Sequence, residues 1–249
     1  MFVSGVIRLK YGIRTDRGLK RQLNEDNCNV LVGYSGVPPC FVIADGMGGH
    51  KCGDVASKQA VDSVCNHLLR ADWEAQEISE LLKNIIIDVN KELYQYSILD
   101  ESTQGMGTTL IITALINRKL YIGHVGDSRV YLIRDNSIQK MTSDHSFIEE
   151  LIKNGTITKD EAINHPKRNV ITRAVGYEND LQVDTYEIDV LENDEILVCT
   201  DGLTNMLSEE EILEIIKNAE EPQIACDTLI ENANNKGGED NITVILGKI

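Results

Sequence analysis

The stretch TTLIITALINRKLYIGHVGDSRVYLIRDNSIQKMT, residues 108–142, decides the fold class. It holds four strand-like runs: TTLIITALI (108–116), KLYIGHVGD (119–127), RVYLIR (129–134) and IQKMT (138–142). They are rich in apolar and β-branched residues, and their connections are short and hairpin-like, too short for a crossover helix. Consecutive strands therefore turn back on one another, and the sheet they build is antiparallel.

Working outward, residues 5–14, 26–33 and 40–45 also read as strands. The turn GMGGHKCG (46–53) leads into a helix with Ala56, Ala60, Val64 and Leu68 along one face. A second helix is expected over about 75–97, where Ile78, Leu82, Ile85, Val89 and Leu93 recur at helical spacing. Past the strand-rich centre, residues 146–168 read as short polar helices around Gly155 and Pro166. Strands return near 181–190 and 194–200, two amphipathic helices follow at about 208–217 and 222–234, and NITVILGKI (241–249) closes the chain as a strand. Helices in pairs and strands in runs indicate an α+β fold, with two antiparallel sheets packed face to face and helix pairs outside. No Pro/Gly/Ser-rich linker, low-complexity tract or repeat interrupts the pattern, so residues 1–249 are expected to form a single domain.

The chain is 42% hydrophobic and 26% charged, enough for a sizeable core, with 40 acids against 24 bases and a formal net charge of −16. That balance argues against a protein that holds nucleic acid or an anionic membrane by neutralising phosphates. Aromatic residues are only 5% of the chain, which disfavours stacking platforms for single strands. Six cysteines show no C-x-x-C spacing, and several lie in apolar runs, where a free thiol behaves as a small hydrophobe. No leader pattern opens the chain and no apolar stretch approaches the roughly 18–20 residues of a membrane span. A reduced, cytoplasmic protein is expected.

Four aspartates fall where strand-like runs stop or start: Asp45 in FVIADG, Asp127 in YIGHVGD, Asp201 in ILVCTDG, and Asp240 just before ITVIL. Taken singly, each Asp-Gly is a turn signal. Gathered at one sheet rim, four carboxylates would repel strongly and call for cations. Oxygen-only ligands favour hard ions such as magnesium or manganese. The joint placement indicates a hydrolase with two or more divalent metals.

The glycine turn fits neither nucleotide pattern, because position 51 is Lys where the dinucleotide fingerprint needs Gly, and Asp54 stands where a P-loop needs Lys. It reads as a tight turn that lets backbone approach something closely, the functional version being metal approach at the Gly46 carbonyl. Arg21, in TDRGLKRQLNEDN (15–27), offers a fork for phosphate, or a salt bridge to Glu25. The five histidines show no ligand or triad spacing; His67 and His124 read as ordinary helix and strand residues, and His145 in SDHS is the one with reach toward a site.

NED (24–26), ADGMGGH (44–50), GMGTTL (105–110), GHVGDSRVYLIR (123–134), TSDHS (142–146), VCTDGLTNML (198–207) and GGEDNITVI (237–245) occur in the order found in one family. The chain resembles the metal-dependent protein phosphatases of the 2C type, most closely the small bacterial serine/threonine phosphatases, over essentially its whole length. The resemblance implies a four-layer αββα sandwich with metals at one end. Asp45 matches the carboxylate bridging two ions, Mn2+ or Mg2+, and the Gly46 carbonyl a ligand of the second. Asp201 and Asp240 match ligands of the first, and Asp127 with Asp201 a weaker third site. Glu25 and Asp26 match acids that hold metal-bound water or brace the site, Asn241 follows Asp240 as a supporting residue, and Arg21 matches the phosphate-clamping arginine. Residues 146–168 resemble a mobile flap. Three positions depart from the family pattern: Met47 stands where eukaryotic relatives carry a histidine, Asn205 where aspartate is common, and Glu239 where proline is common.

The implied activity is hydrolysis of phosphoserine and phosphothreonine in proteins by a water held between two ions, opposing a bacterial serine/threonine kinase. Two rivals are a catalytically silent phosphoprotein-binding module on the same fold, and a two-metal phosphodiesterase or nuclease. Retention of all four aspartates and Arg21 argues against the first, and the acidic charge against the second.

Overall fold

The computed structural model describes residues 9–48, 52–74, 77–158, 161–162 and 165–249. Parts of four expected features lie outside these residues: the start of the first strand, the middle of the glycine turn, the first turn of the second helix and parts of the flap.

The first sheet has the order β1-β11-β10-β7-β8, formed by β1 (Lys10–Asp16), β7 (Arg129–Arg134), β8 (Ser137–Lys140), β10 (Glu195–Cys199) and β11 (Ile242–Lys248). The second has the order β2-β3-β5-β6-β9, from β2 (Asp26–Leu31), β3 (Cys40–Met47), β5 (Leu110–Ile116), β6 (Lys119–Val125) and β9 (Asp184–Asp189), with the two-residue β4 (Gly107–Thr108) beside the end of β3. Every pairing is antiparallel, as the short connections require.

Period-two alternation sorts each strand's side chains between two cores. On β3, Cys40, Val42 and Ala44 pack with α1 (Gly53–Arg70) and α2 (Ile78–Ser97), while Phe41 and Ile43 face the other sheet. On β10, Ile196 and Val198 join that inter-sheet core, while Leu197 and Cys199 turn to α5 (Glu209–Asn218) and α6 (Pro222–Asn235). The result is helix pair, sheet, sheet, helix pair, and the expected four-layer sandwich holds. A capping box between Ser208 and Glu211 starts α5, and Pro222 at the first turn starts α6. Among the described residues no helix is long and apolar enough to cross a membrane.

Several boundaries differ from the sequence reading. The run 108–116 breaks at Thr109, whose backbone turns to bond Asp45. β3 continues through Asp45 to Met47, because Gly46 and Met47 find partners on β4. A short helix, α4 (Asp201–Thr204), follows β10 directly. In the flap the one described helix with both ends defined is α3 (Phe147–Lys153), capped by Ser146.

Candidate metal centre

Strand direction brings the aspartates together. β3 and β6 both run antiparallel to β5, so they end on the same side, where β2 begins. In the facing sheet β10 ends beside the start of β11. Asp45 therefore pairs in register with Asp26, Asp127 lies two residues past β6, Asp201 opens α4 after β10, and Asp240 lies two residues before β11. All four line one cleft of about 330 Å3, together with Arg21, Glu25, Gly46 and Asn241. A larger hollow of about 910 Å3 runs along α1 and α2, but it gathers no comparable set of convergent groups.

Backbone bonds hold Asp45 from both sides. Its N–H donates to Thr109 Oγ1 at 2.9 Å, and its carbonyl accepts from the Thr109 N–H at 2.8 Å and the Thr108 hydroxyl at 2.9 Å. Gly46 donates to the Glu25 carbonyl at 3.0 Å, and a Cβ there would lie 2.0 Å from the Gly53 carbonyl oxygen. Glycine is required at position 46 by this close passage of the chain entering α1. Of the two readings of this segment, close backbone approach is seen at Gly46, which itself sits in strand β3, while the middle of the turn lies outside the described residues.

Asn241 is buried and ties the Arg21 loop to β11. Its Oδ1 accepts the Glu25 N–H at 2.8 Å, and its Nδ2 donates to the carbonyls of Arg17 and Leu23 at 2.8 and 2.9 Å. Arg21 pairs with Asp240, Nη2 to Oδ2 at 2.8 Å, and not with Glu25. Asn205, at a position where the family often has aspartate, donates to Asp201 Oδ2 at 3.0 Å. Asp26 stands behind the cleft, between the sheets, where Oδ2 accepts from the hydroxyls of Thr200 (2.9 Å) and Thr243 (2.7 Å) while Oδ1 has no hydrogen-bond partner.

The electrostatics are one-sided. Burial first, then repulsion by Asp26, Asp201, Asp127 and Asp240, pushes Asp45 well above the usual carboxylate range. Burial and Asp201 raise Asp127 to about 8; burial and the neighbouring acids Asp201 and Asp240 raise Asp26 to about 7, against its two hydroxyl donors. Asp201 is raised by burial and Asp240, and Glu25 by burial despite Arg21. Arg21 is the only cationic side chain among the described residues of the cleft. The donors are all oxygen, and their charge exceeds what one arginine neutralises, so the set fits hard divalent cations. Among the described residues no three acids, histidines or cysteines are arranged to hold an ion as they stand.

Residues 18–234 match the protein phosphatase 2C family. The chain belongs to this family. It is 42% identical to the serine/threonine phosphatase stp of Listeria monocytogenes over 240 residues, 94% of this chain and 93% of that one. It superposes on the Staphylococcus aureus serine/threonine phosphatase Stp1 with TM-score 0.92 and 34% identity, covering 97% of this chain and 95% of that one. The catalytic domain of the phosphatase PstP, solved in complex with two manganese ions, matches with TM-score 0.84 and 32% identity over 96% of this chain and 97% of that one. The family is metal-dependent.

Four contributors to the site of this phosphatase were not singled out from sequence. Thr108 and Thr109 position Asp45; their signal was a paired threonine heading an apolar strand inside GMGTTL. Asn169 and Ile171, from the chain returning after the flap, also line the cleft, and nothing local marks them. His145 does not line it. It is buried, its Nδ1 accepts the Gly126 N–H at 3.0 Å, and its Nε2 therefore carries the proton that faces Asp184 Oδ2 at 3.2 Å. His145 thus braces the turn that carries Asp127. His124 is a wholly buried strand residue with neither ring nitrogen bonded, and burial together with His145 lowers it to about 3.

Proposed function

We propose that Asp45, Asp201, Asp240 and the Gly46 carbonyl hold two divalent ions, manganese or magnesium, and that Asp127 with Asp201 takes a third, weaker one. The observation that carries this reading is the meeting of four aspartates from both sheets in one cleft with Arg21 as its only described cation. Bound divalent ions supply a water of lowered pKa at neutral pH and positive charge for the phosphoryl oxygens. The phosphatase acts on phosphoserine and phosphothreonine in proteins, as its family and its named relatives indicate.

The protein's own groups then have distinct tasks. Arg21 presents a planar fork to the phosphoryl group, and its pairing with Asp240 would weaken where that carboxylate served as a ligand to an ion. Asn241 fixes the loop bearing Arg21. Glu25 accepts hydrogen bonds from water at the cleft wall, and Asp26 braces Asp45 from between the sheets. The whole chain works as one domain, with 146–168 as a flap over the mouth. A serine/threonine kinase acting on the same proteins supplies the substrates, and the six free cysteines suit a reducing cytoplasm. The silent-module reading is disfavoured because a binding module has no need of four aspartates that destabilise one another.

The test is phosphate release from a phosphothreonine peptide after chelation, with and without added manganese. Turnover lost on chelation and restored by manganese is the expected result. Metal binding without phosphate release would move the silent module into first place.

A further inference from the structure

Beside the carboxylate cleft lies a second hollow of about 440 Å3, which shares Met47 and Ile171 with it and is walled by Arg173, Tyr177, Glu178, Asp180 and Leu181. The wall is held in place from within. Asn90, wholly buried on α2, donates from Nδ2 to the carbonyls of Glu178 and Asn179 at 2.9 and 3.1 Å and accepts the Gly176 N–H at 2.7 Å. Gly176 has φ +87°, and a Cβ there would lie 2.9 Å from Leu93 Cβ, so the turn rests directly on α2. Val175 exchanges backbone bonds with Thr108 at 3.0 and 2.9 Å, next to the threonine that positions Asp45. A polar side chain buried wholly to fix a surface turn preorganises what that turn displays.

What it displays is recognition chemistry. Tyr177 is 55% exposed although its backbone is clamped. Leu181, Met47 and Ile171 add apolar surface. Arg173 is already paired with Asp184 at 2.9 Å, whereas Glu178 and Asp180 form no ion pair among the described residues. The hollow therefore offers an aromatic side chain, an apolar floor and two uncompensated carboxylates, continuous with the phosphoryl site.

We propose that this hollow seats the substrate polypeptide flanking the phosphorylated residue. An apolar side chain packs on Tyr177 and Leu181, and a lysine or arginine meets Glu178 and Asp180, so the phosphatase prefers phosphosites with a basic residue close by. The proposal rests on the metal-cleft reading, because adjacency to that cleft is what makes a flanking peptide the occupant. Charge complementarity sets the basic preference, and rim charges of this kind act on encounter and register.

The experiment measures kcat/KM for phosphothreonine peptides that carry lysine or glutamate at successive positions on either side, with p-nitrophenyl phosphate as the control substrate. The expected result is a preference of about three- to tenfold for lysine on one side at low salt, shrinking as salt is raised. A double Glu178→Lys, Asp180→Lys variant should reverse that preference, and Tyr177→Ala should raise KM for both peptides several-fold with kcat little changed. Nitrophenyl phosphate turnover should be unaffected in both variants. Equal rates on lysine and glutamate peptides with the unmodified protein, or a preference indifferent to salt and to the charge reversal, would overturn the proposal. Should the variants misfold, the control substrate reveals it, and the salt response of the unmodified protein decides. Failure on the control substrate as well would sink the metal-cleft reading and this proposal with it; turnover of the control without peptide discrimination sinks this proposal alone.

Discussion

Asp127 and Asp144 are two carboxylates close enough to feel one another, and they have opposite fates. Asp144 is closed by protein: Arg129 donates from Nη2 at 2.7 Å and from Nε at 3.0 Å, and Lys140 adds a contact at 3.2 Å. Burial alone would raise Asp144, but these cations hold it below the usual carboxylate range. Asp127 has no such fork, and burial with Asp201 raises it to about 8. The contrast teaches how a ligand site differs from a structural ion pair. The fold supplies a cation where charge is meant to stay, and withholds one where charge is meant to be met from outside.

The sharpest way to break this comparison is to remove one carboxylate of each kind. Asp45→Asn should lower phosphate release by about a thousandfold or more, the scale for losing a main electrostatic stabiliser, while the melting temperature without metal holds or rises as repulsion is relieved. Asp144→Ala should do the reverse. It strands Arg129 with its charge largely buried and should cost about 3 kcal/mol of stability by denaturant unfolding, with metal stoichiometry by calorimetry unchanged. If the two variants behaved alike, the distinction between open and closed carboxylates would be lost.

Arg21→Ala tests the cation of the cleft. A charge-assisted pair worth about 1.5–3 kcal/mol predicts a fall of roughly ten- to a hundredfold in kcat/KM for a phosphopeptide, mostly through KM. The remaining effect is on pH. In metal-free protein the folded state keeps the proton of Asp127 to about pH 8 and that of Asp26 to about 7. The unfolded chain releases such protons near pH 4, about the ordinary aspartate value. Stabilisation from these groups is complete below that value and is lost as pH rises through about 7 and 8. The melting temperature of chelated protein should therefore fall across that interval, and manganese should flatten the curve. A curve that stays flat without metal would mean the carboxylates are already compensated.

Much of this was legible in the residues. The hairpin-like connections of 108–142 dictated antiparallel sheets, the helical stripes from Ala56 to Leu68 and over about 75–97 dictated a covering pair, and the four aspartates marked the rim. Thr109 reads as the second residue of an unbroken strand, because period-two patterning does not register a backbone that leaves the ladder to bond Asp45. Asp45 was read as a strand end for the same reason: β4 is two residues long, below any pattern's reach. Asn169 and Ile171 were invisible, since the chain between α3 and β9 carries no periodicity at all.

The sequence by itself determined the inventory: which segments are strands and helices, which face of each is apolar, and which residue types can bind a metal or a phosphate. These follow from local spacing, which a linear chain carries in full. Only the tertiary structure decided the pairings: that Arg21 meets Asp240 and not Glu25, that Asn241 clamps the loop ahead of β2, that His145 braces the Asp127 turn, and that Asn90 holds the turn beneath Tyr177. Each joins groups far apart in sequence, and what selects such a contact is the burial of both partners in one place, a condition that exists only once the sheets have closed on each other.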